Sequence, residues 1–157
     1  MEINQDFFNY IKPYLIKLRD KIGNDFIVFG SAPLYLLGVV DFSGKINDLD
    51  VNVFDRSVVP GDAQEVTFHK NQDQKLYKIF IDDMGVDIGI SWPGYGDFLD
   101  KIRSNPMIVD GFKFANLDIV EDWKKEMVKR YDRQKDKDYL VKIQTFREKE
   151  LEGNSSK

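Results

Sequence analysis

Three aspartates in two short apolar segments are the residues of this chain best suited to chemistry. Asp48 and Asp50 lie two apart in the first segment, 47–53, and Asp87 lies in the second, 86–90. If the first segment is a strand, its side chains alternate between faces, so Asp48 and Asp50 share one face. Two carboxylates on one face repel each other unless a cation lies between them. The pattern therefore predicts a hard-oxygen site suited to Mg²⁺, with its carboxylates on adjacent strands.

A glycine–serine pair, Gly30-Ser31, marks a second candidate site. It follows the apolar run 26–29 and precedes Pro33 and the segment 34–38. Serine is a favourable N-cap and proline is tolerated in the first helical turn, so this order indicates a strand, a turn and a helix N-terminus. Backbone N–H groups at such a turn can receive phosphate, and a glycine lets the phosphate approach the backbone closely.

The two β-strand aspartates, and two aromatic residues that could contact a nucleotide, also have simpler interpretations. Exposed edge strands often carry charge that discourages aggregation, which is the alternative role for Asp48 and Asp50. Trp92 or Tyr95 could stack on a nucleotide base, although core packing is the commoner role of an aromatic side chain.

The composition excludes several classes of site. The chain has 157 residues, 42% hydrophobic and 32% charged, which is typical of one soluble globular domain. Cysteine is absent and His69 is the only histidine, so disulfides, thiolate sites and His-rich zinc sites are excluded. No apolar run reaches the roughly 20 residues that span a bilayer, and the N-terminus has no signal-peptide pattern. We therefore expect a cytoplasmic protein with no membrane partner and with His69 on its surface.

Charge is unevenly distributed along the chain. Residues 1–123 carry 12 basic and 20 acidic side chains, a net charge of −8, whereas residues 124–150 carry 10 and 6, a net charge of +4. A basic segment beside an acidic body could hold a triphosphate or a nucleic-acid backbone, although a solvated helix of mixed charge has the same composition. We favour Arg133 and Lys135 as phosphate ligands. The other candidate cations of this segment are Lys124, Lys125, Lys129 and Arg130.

Periodicity and turn residues predict an α+β protein, with a mixed sheet of about four to six strands, flanking helices and a C-terminal helical segment. Helices are predicted at 3–21, 97–103, 118–131 and 134–149, with a short one after Ser31. Pro13 should kink the first helix or divide it. Strands are predicted at 26–29, 49–54, 75–81, 86–90, 107–109 and 112–114, with at most one more within 55–74. We expect a single domain, 1–150, and a disordered tail, 151–157.

In chain order, the strand, the Gly-Ser turn, the helix, the Asp-x-Asp strand and the later single-Asp strand resemble the nucleotidyltransferase fold of the DNA polymerase β superfamily. In that family the turn holds the triphosphate, the Asp-x-Asp carboxylates bind divalent metal, and a carboxylate on a neighbouring strand completes the site. The resemblance implies these roles for Gly30 and Ser31, for Asp48 and Asp50, and for Asp87.

The same resemblance implies a reaction. Two Mg²⁺ ions would be the cofactors and an NTP would be the substrate. Its nucleoside monophosphate would pass to a hydroxyl of an unknown acceptor, which is a small molecule, an RNA or a protein. Asp48, Asp50 and Asp87 would be both the catalytic residues and the metal ligands.

The C-terminal third resembles the tail of AbiEii-type and related small nucleotidyltransferase proteins, in which an R-x-K-D-x-x-D segment is usual. The matching residues are Arg133, Lys135 and Asp136, with Asp138 two positions later instead of three. This departure, and a turn with one glycine where the family has a longer glycine-rich turn, favour an alternative. The chain would then be a catalytically inactive protein of this fold that binds nucleotide or a partner, in a toxin–antitoxin or phage-defence pair.

Overall fold

A computed structural model of the protein describes residues 2–67, 75–90 and 98–155. These ranges contain five α-helices, one short 3-10 helix and seven strands. The helices are α1 (Gln5–Ile22), α2 (Ala32–Leu37), α3 (Phe98–Arg103), α4 (Leu117–Tyr131) and α5 (Gln134–Ser155), and the 3-10 helix is Arg56–Val58. The strands are β1 (Phe26–Phe29), β2 (Asp48–Val53), β3 (Gln64–Thr67), β4 (Lys75–Ile81), β5 (Met84–Gly89), β6 (Met107–Val109) and β7 (Phe112–Phe114). The predictions for His69, Trp92 and Tyr95 lie outside the described residues.

The strands form one mixed sheet in the order β3-β4-β5-β2-β1-β7-β6. β2 runs parallel to β5 and β1 runs parallel to β7, while the other neighbours are antiparallel. The predicted α+β class and C-terminal helical segment are confirmed, but four to six strands was too few, because the sheet has seven. β3 is the strand with the weakest signal: Val66 alone is partly buried, so no apolar alternation marks it.

The two faces of the sheet are packed differently. On one face, Leu49, Val51 and Val53 of β2 are buried in a large apolar core beneath α1. On the other face, Ile27 and Phe29 of β1 pack in a smaller core with residues of α4 and α5. The even-numbered residues of β2, including both aspartates, belong to this second face because strand side chains alternate. These even-numbered residues of β2, with Asp48 and Asp50 among them, form a polar surface beside the smaller core, which we call the polar floor.

Helix α1 crosses the larger core as a single helix. It begins where the side chain of Asn4 accepts a hydrogen bond from Phe7 N (3.0 Å), and it ends at Gly23. The helix continues through Pro13, so the expected division into two pieces is wrong. Pro13 is exposed, on the side away from the buried residues, where water can replace the missing backbone hydrogen bond.

Helices α4 and α5 form the wall above the polar floor. Asn116 caps α4 by accepting a hydrogen bond from Ile119 N (3.0 Å), and Asp132, with φ 52°, ends the helix in the left-handed region. Helix α5 extends to Ser155, so residues 151–155 of the predicted disordered tail are helical. A glycine inside a helix costs about 1 kcal/mol, which did not end the helix at Gly153. No helix of the described ranges is both long enough and apolar enough to cross a membrane.

Candidate functional site

The three predicted carboxylates lie on one face of the sheet, on two adjacent parallel strands. Asp50 of β2 is the register partner of Asp87 of β5, and Asp48 is the partner of Gly85. Asp50 and Asp87 are partly buried, whereas half of the Asp48 side chain is exposed. The structure thus concentrates negative charge on the polar floor, most strongly at Asp50 and Asp87.

Asp50 packs against the glycine–serine turn. Phe29, the last residue of β1, is the antiparallel partner of Asp50, so Gly30 follows directly beside this carboxylate. A Cβ atom on Gly30 would lie 2.2 Å from Asp50 Oδ2, and the backbone there has φ +65°. Glycine is required for both reasons, because the space is already taken by the carboxylate and the left-handed backbone disfavours other residues.

The environment of Asp50 disfavours its ionised form relative to water, so its pKa is raised. Burial, and then the negative charge of Asp87, raise the pKa of Asp50 to about 6, although Lys124 and Lys135 act in the opposite direction. Burial also raises the pKa of Asp87, against the opposing charge of Lys78. A pair of partly buried carboxylates with raised pKa values is typical of functional sites, where a cation or a proton has to compensate the charge.

Ser31 occupies the predicted N-cap position of α2, but its side chain does not cap the helix. Helix α2 begins at Ala32, but the Ser31 side chain makes no capping hydrogen bond. Its Oγ atom instead accepts a hydrogen bond from Lys124 Nζ at 3.4 Å. The turn is therefore tied to α4 by a cation that lies at the edge of the polar floor.

Lys124 lines the cleft, although the sequence favoured Arg133 and Lys135 over it. It is 3% exposed, with its Nζ atom 3.6 Å from Asp136 Oδ1 and 4.4 Å from the centre of the Tyr139 ring. Burial lowers its pKa to about 8, although Asp136 acts to raise it. The available signal was its place on the apolar face of α4, between Val120 and Met127, where a lysine needs a partner.

Arg133 and Lys135 both line the cleft, but in different ways. The guanidinium of Arg133 donates a hydrogen bond to each carboxylate oxygen of Asp136, with Nε 2.5 Å from Oδ2 and Nη2 3.1 Å from Oδ1. Asp136 is fully buried, and its carboxylate contacts both Arg133 and Lys124. Asp138 is exposed and accepts a hydrogen bond from Gln134 (2.9 Å) on the outside of α5.

One further cation, Lys78 of β4, lies on the polar floor itself. Its Nζ atom is 3.3 Å from Asp48 Oδ1 and 3.8 Å from Asp87 Oδ1. Burial acts to lower the pKa of Lys78, but the charges of Asp87 and Asp48 outweigh it and the net pKa is raised. Lys78 is therefore a protonated ammonium in contact with two of the three carboxylates.

Most of these groups line one open cleft of about 660 Å³, but Lys78, Asp136 and Asp138 are not among the described residues that line it. The seven site residues favoured from the sequence all line it: Gly30, Ser31, Asp48, Asp50, Asp87, Arg133 and Lys135. Three other candidate cations, Lys125, Lys129 and Arg130, lie outside this lining in the described part of the chain. Lys124 and Tyr139 complete the wall formed by α4 and α5. The cleft thus has an acidic floor and a basic wall, an arrangement that could take a polyanion together with a cation.

The donor chemistry of the floor suits a hard divalent ion in part. Asp50 and Asp87 are neighbouring carboxylates that raise the local negative charge, and carboxylate oxygens are what Mg²⁺ prefers. Within the described ranges, however, no three acidic or histidine side chains are grouped closely enough to hold a metal ion. Asp48 is paired with Lys78 instead, so the fit at present extends to Asp50 and Asp87.

No family model, curated protein or solved structure matches this chain. The geometry of the cleft is therefore the basis for assigning a function.

Proposed function

We propose that the protein is an Mg²⁺-dependent nucleotidyltransferase that moves a nucleoside monophosphate from an NTP to a hydroxyl of an acceptor. The observation that carries the proposal is the packing of Asp50 against Gly30, with Asp87 as its register partner. This arrangement brings the glycine–serine turn into contact with one member of a pair of carboxylates. The resemblance to the polymerase β superfamily stays part of this proposal, as does a cytoplasmic location.

In this proposal, the basic wall and the turn hold the triphosphate. The Oγ atom of Ser31 and the backbone N–H groups after Gly30 would donate to phosphate oxygens. Lys124 reaches Ser31 and would place its charge at the same phosphates, with Lys135 beside it. Arg133 would act mainly by fixing Asp136, which in turn positions Lys124.

The acidic floor would hold the metal and handle the proton. Asp50 and Asp87 would ligate Mg²⁺, and Asp48 would join them once released from Lys78. When bound, Mg²⁺ stabilises the charge that develops on the transferring phosphate. Asp87, whose pKa is raised, is the side chain that would accept the proton of the attacking hydroxyl.

Pyrophosphate release tests the proposal. The protein is incubated with each NTP, Mg²⁺ and a panel of hydroxyl acceptors, and released pyrophosphate is measured. We expect metal-dependent release that falls at least a hundredfold in Asp50→Asn. Asp82→Asn is the matched control, because Asp82 is exposed in the β4–β5 turn, pairs with Lys17, and has a left-handed backbone that asparagine accepts. Full activity in Asp50→Asn would contradict the assignment.

A second candidate function is favoured by the pairing of Asp48 with Lys78, because that pairing occupies a carboxylate which catalysis requires. The protein would then bind nucleotide or a partner without catalysis, as one member of a toxin–antitoxin or phage-defence pair. Calorimetry with Mg²⁺-ATP separates the two functions. Binding without release of pyrophosphate from the NTP, whichever acceptor is present, supports the second, whereas release supports the first.

A further inference from the structure

Lys78 reaches the carboxylates from the far side of the polar floor. On β4, it is the register partner of Asp87, which is itself the partner of Asp50. The three side chains therefore form one row across three adjacent strands. The Lys78 side chain is 27% exposed, and its ammonium group contacts Asp48 as well as Asp87. Asp48 belongs to a neighbouring row of side chains, so Lys78 links the two rows.

Gly85 provides the space in which Lys78 and Asp48 meet. It is the partner of Asp48 on β5, and a Cβ atom there would lie 2.6 Å from Asp48 Oδ1 and 3.1 Å from Lys78 Cε. Its backbone is outside the left-handed region, so the missing side chain, and not an unusual φ, is what this position contributes. An ordinary surface ion pair needs no such cleared space.

An ammonium group and a divalent ion compete for the same carboxylate oxygens. Lys78 donates a hydrogen bond to Asp48 Oδ1 and forms an ion pair with Asp87, so it occupies oxygens that a metal would need as ligands, and its positive charge repels an approaching cation. Mg²⁺ also demands near-octahedral oxygen coordination, which an ammonium group among the ligands obstructs. The two cannot share Asp48 and Asp87 in the observed arrangement.

We propose that Lys78 is a built-in counter-cation of Asp48 and Asp87, and that a divalent ion reaches these carboxylates only by displacing its ammonium group. The inference rests on the proposed function, since it concerns metal binding at the same site. It adds a control on that site: the free protein stays charge-compensated without metal, and metal affinity is set by the cost of moving Lys78.

Titration calorimetry with Mn²⁺ alone tests this inference on the full chain. Lys78→Met keeps most of the side-chain volume and removes the charge, so we expect its Kd for Mn²⁺ to be at least tenfold lower than that of the wild type. Lys78→Arg keeps a positive charge and should bind within about twofold of the wild type. Lys75→Met is the matched control on the same strand, because Lys75 pairs with Glu65 of β3.

Thermal unfolding with a chelator gives a second readout that needs no activity. Without Lys78 the carboxylates repel one another, so Lys78→Met should have a lower Tm than Lys75→Met in metal-free buffer, and Mn²⁺ should raise its Tm by more. Equal Mn²⁺ affinity in Lys78→Met and the wild type would overturn the inference and leave the proposed function standing. Absence of Mn²⁺ binding in every variant would overturn both. Tighter binding in Lys78→Met, with no pyrophosphate release by the wild type, would uphold the inference alone.

Discussion

The two faces of the central strand β2 are stabilised by different interactions. Leu49 and Val51 point into the core under α1, where they are at most 2% exposed among other apolar side chains. Asp48 and Asp50, on the opposite face, are surrounded by charges that come from β4, β5, α4 and α5. The first face is stabilised by the burial of apolar side chains, which does not depend on whether a ligand is present. The second depends on matched charges, so it can respond to a ligand.

The largest effect is expected from the charge that organises the basic wall. Asp136→Asn removes a fully buried carboxylate and leaves Lys124 buried and poorly compensated, so we expect a loss of about 3–5 kcal/mol in the free energy of unfolding. Urea denaturation measures this loss. Asp138→Asn, two residues along on the exposed side of α5, should stay within about 0.5 kcal/mol of the wild type. Equal effects of the two substitutions would show that the buried charges do not stabilise the wall.

The apolar face should respond to a cavity alone. Leu49→Ala deletes a fully buried side chain between the two aspartates in sequence, and we expect a loss of about 2–5 kcal/mol in the free energy of unfolding. Nucleotide affinity, measured under conditions where the variant is folded, should remain that of the wild type. A loss of affinity without a loss of stability would contradict the separation of the two faces.

The contact between turn and floor is tested by adding a single methyl group. Gly30→Ala forces a Cβ atom against Asp50 and strains the backbone, whereas Gly38→Ala, at the other end of α2, strains a similar backbone (φ +77°) with no atom within 4 Å. Left-handed strain alone costs about 1–2 kcal/mol, so both variants should lose that much stability. Only Gly30→Ala should also lose nucleotide binding, which calorimetry with ATP detects. Similar binding by both variants would contradict the proposed place of the phosphates.

The smallest effect is a dependence of nucleotide binding on pH. Because burial lowers the pKa of Lys124 to about 8, its charge is present below pH 8 and is lost as the pH rises through that value. We expect the affinity for metal-free ATP to fall by up to about tenfold per pH unit above 8, and this dependence to be absent in Lys124→Met.

The lowered pKa of Lys124 also makes the free energy of unfolding depend on pH. Between about pH 8 and 10.5 the unfolded chain binds the Lys124 proton more tightly than the folded chain. The free energy of unfolding should therefore rise over that range through this residue. Denaturation of the wild type and Lys124→Met at pH 7.5 and 9.5 checks the direction.

Much of the fold follows from local patterns in the sequence. The period-two alternation of β2 correctly assigned its two faces. An Asp-Gly pair favours the tight turn of a hairpin, and Asp110-Gly111 joins β6 to β7 with both residues at positive φ. Asn116 caps α4 and Gly23 ends α1, in line with the general preference of these residue types for helix ends. Each of these features depends on neighbours within a few positions, so the sequence contains the necessary information directly.

The remaining features depend on distant residues. Lys124 and Ser31 are 93 positions apart and Lys78 and Asp48 are 30 apart. The first contact follows from the packing of α4 on the sheet and the second from the strand order, and neither follows from spacing. The sequence pattern of Arg133, Lys135 and Asp136 suggested phosphate ligands, but it could not indicate that Asp136 is buried and holds two of the cations.

The long separation between the turn and the basic wall has a consequence for synthesis on the ribosome. The glycine turn and both β2 aspartates emerge well before α4, which supplies the cation that reaches Ser31. Until that helix leaves the exit tunnel, the nascent sheet has acidic groups but lacks this part of the wall. Contacts of such high sequence separation form late, so an incomplete chain that ends before α4 lacks the complete cleft.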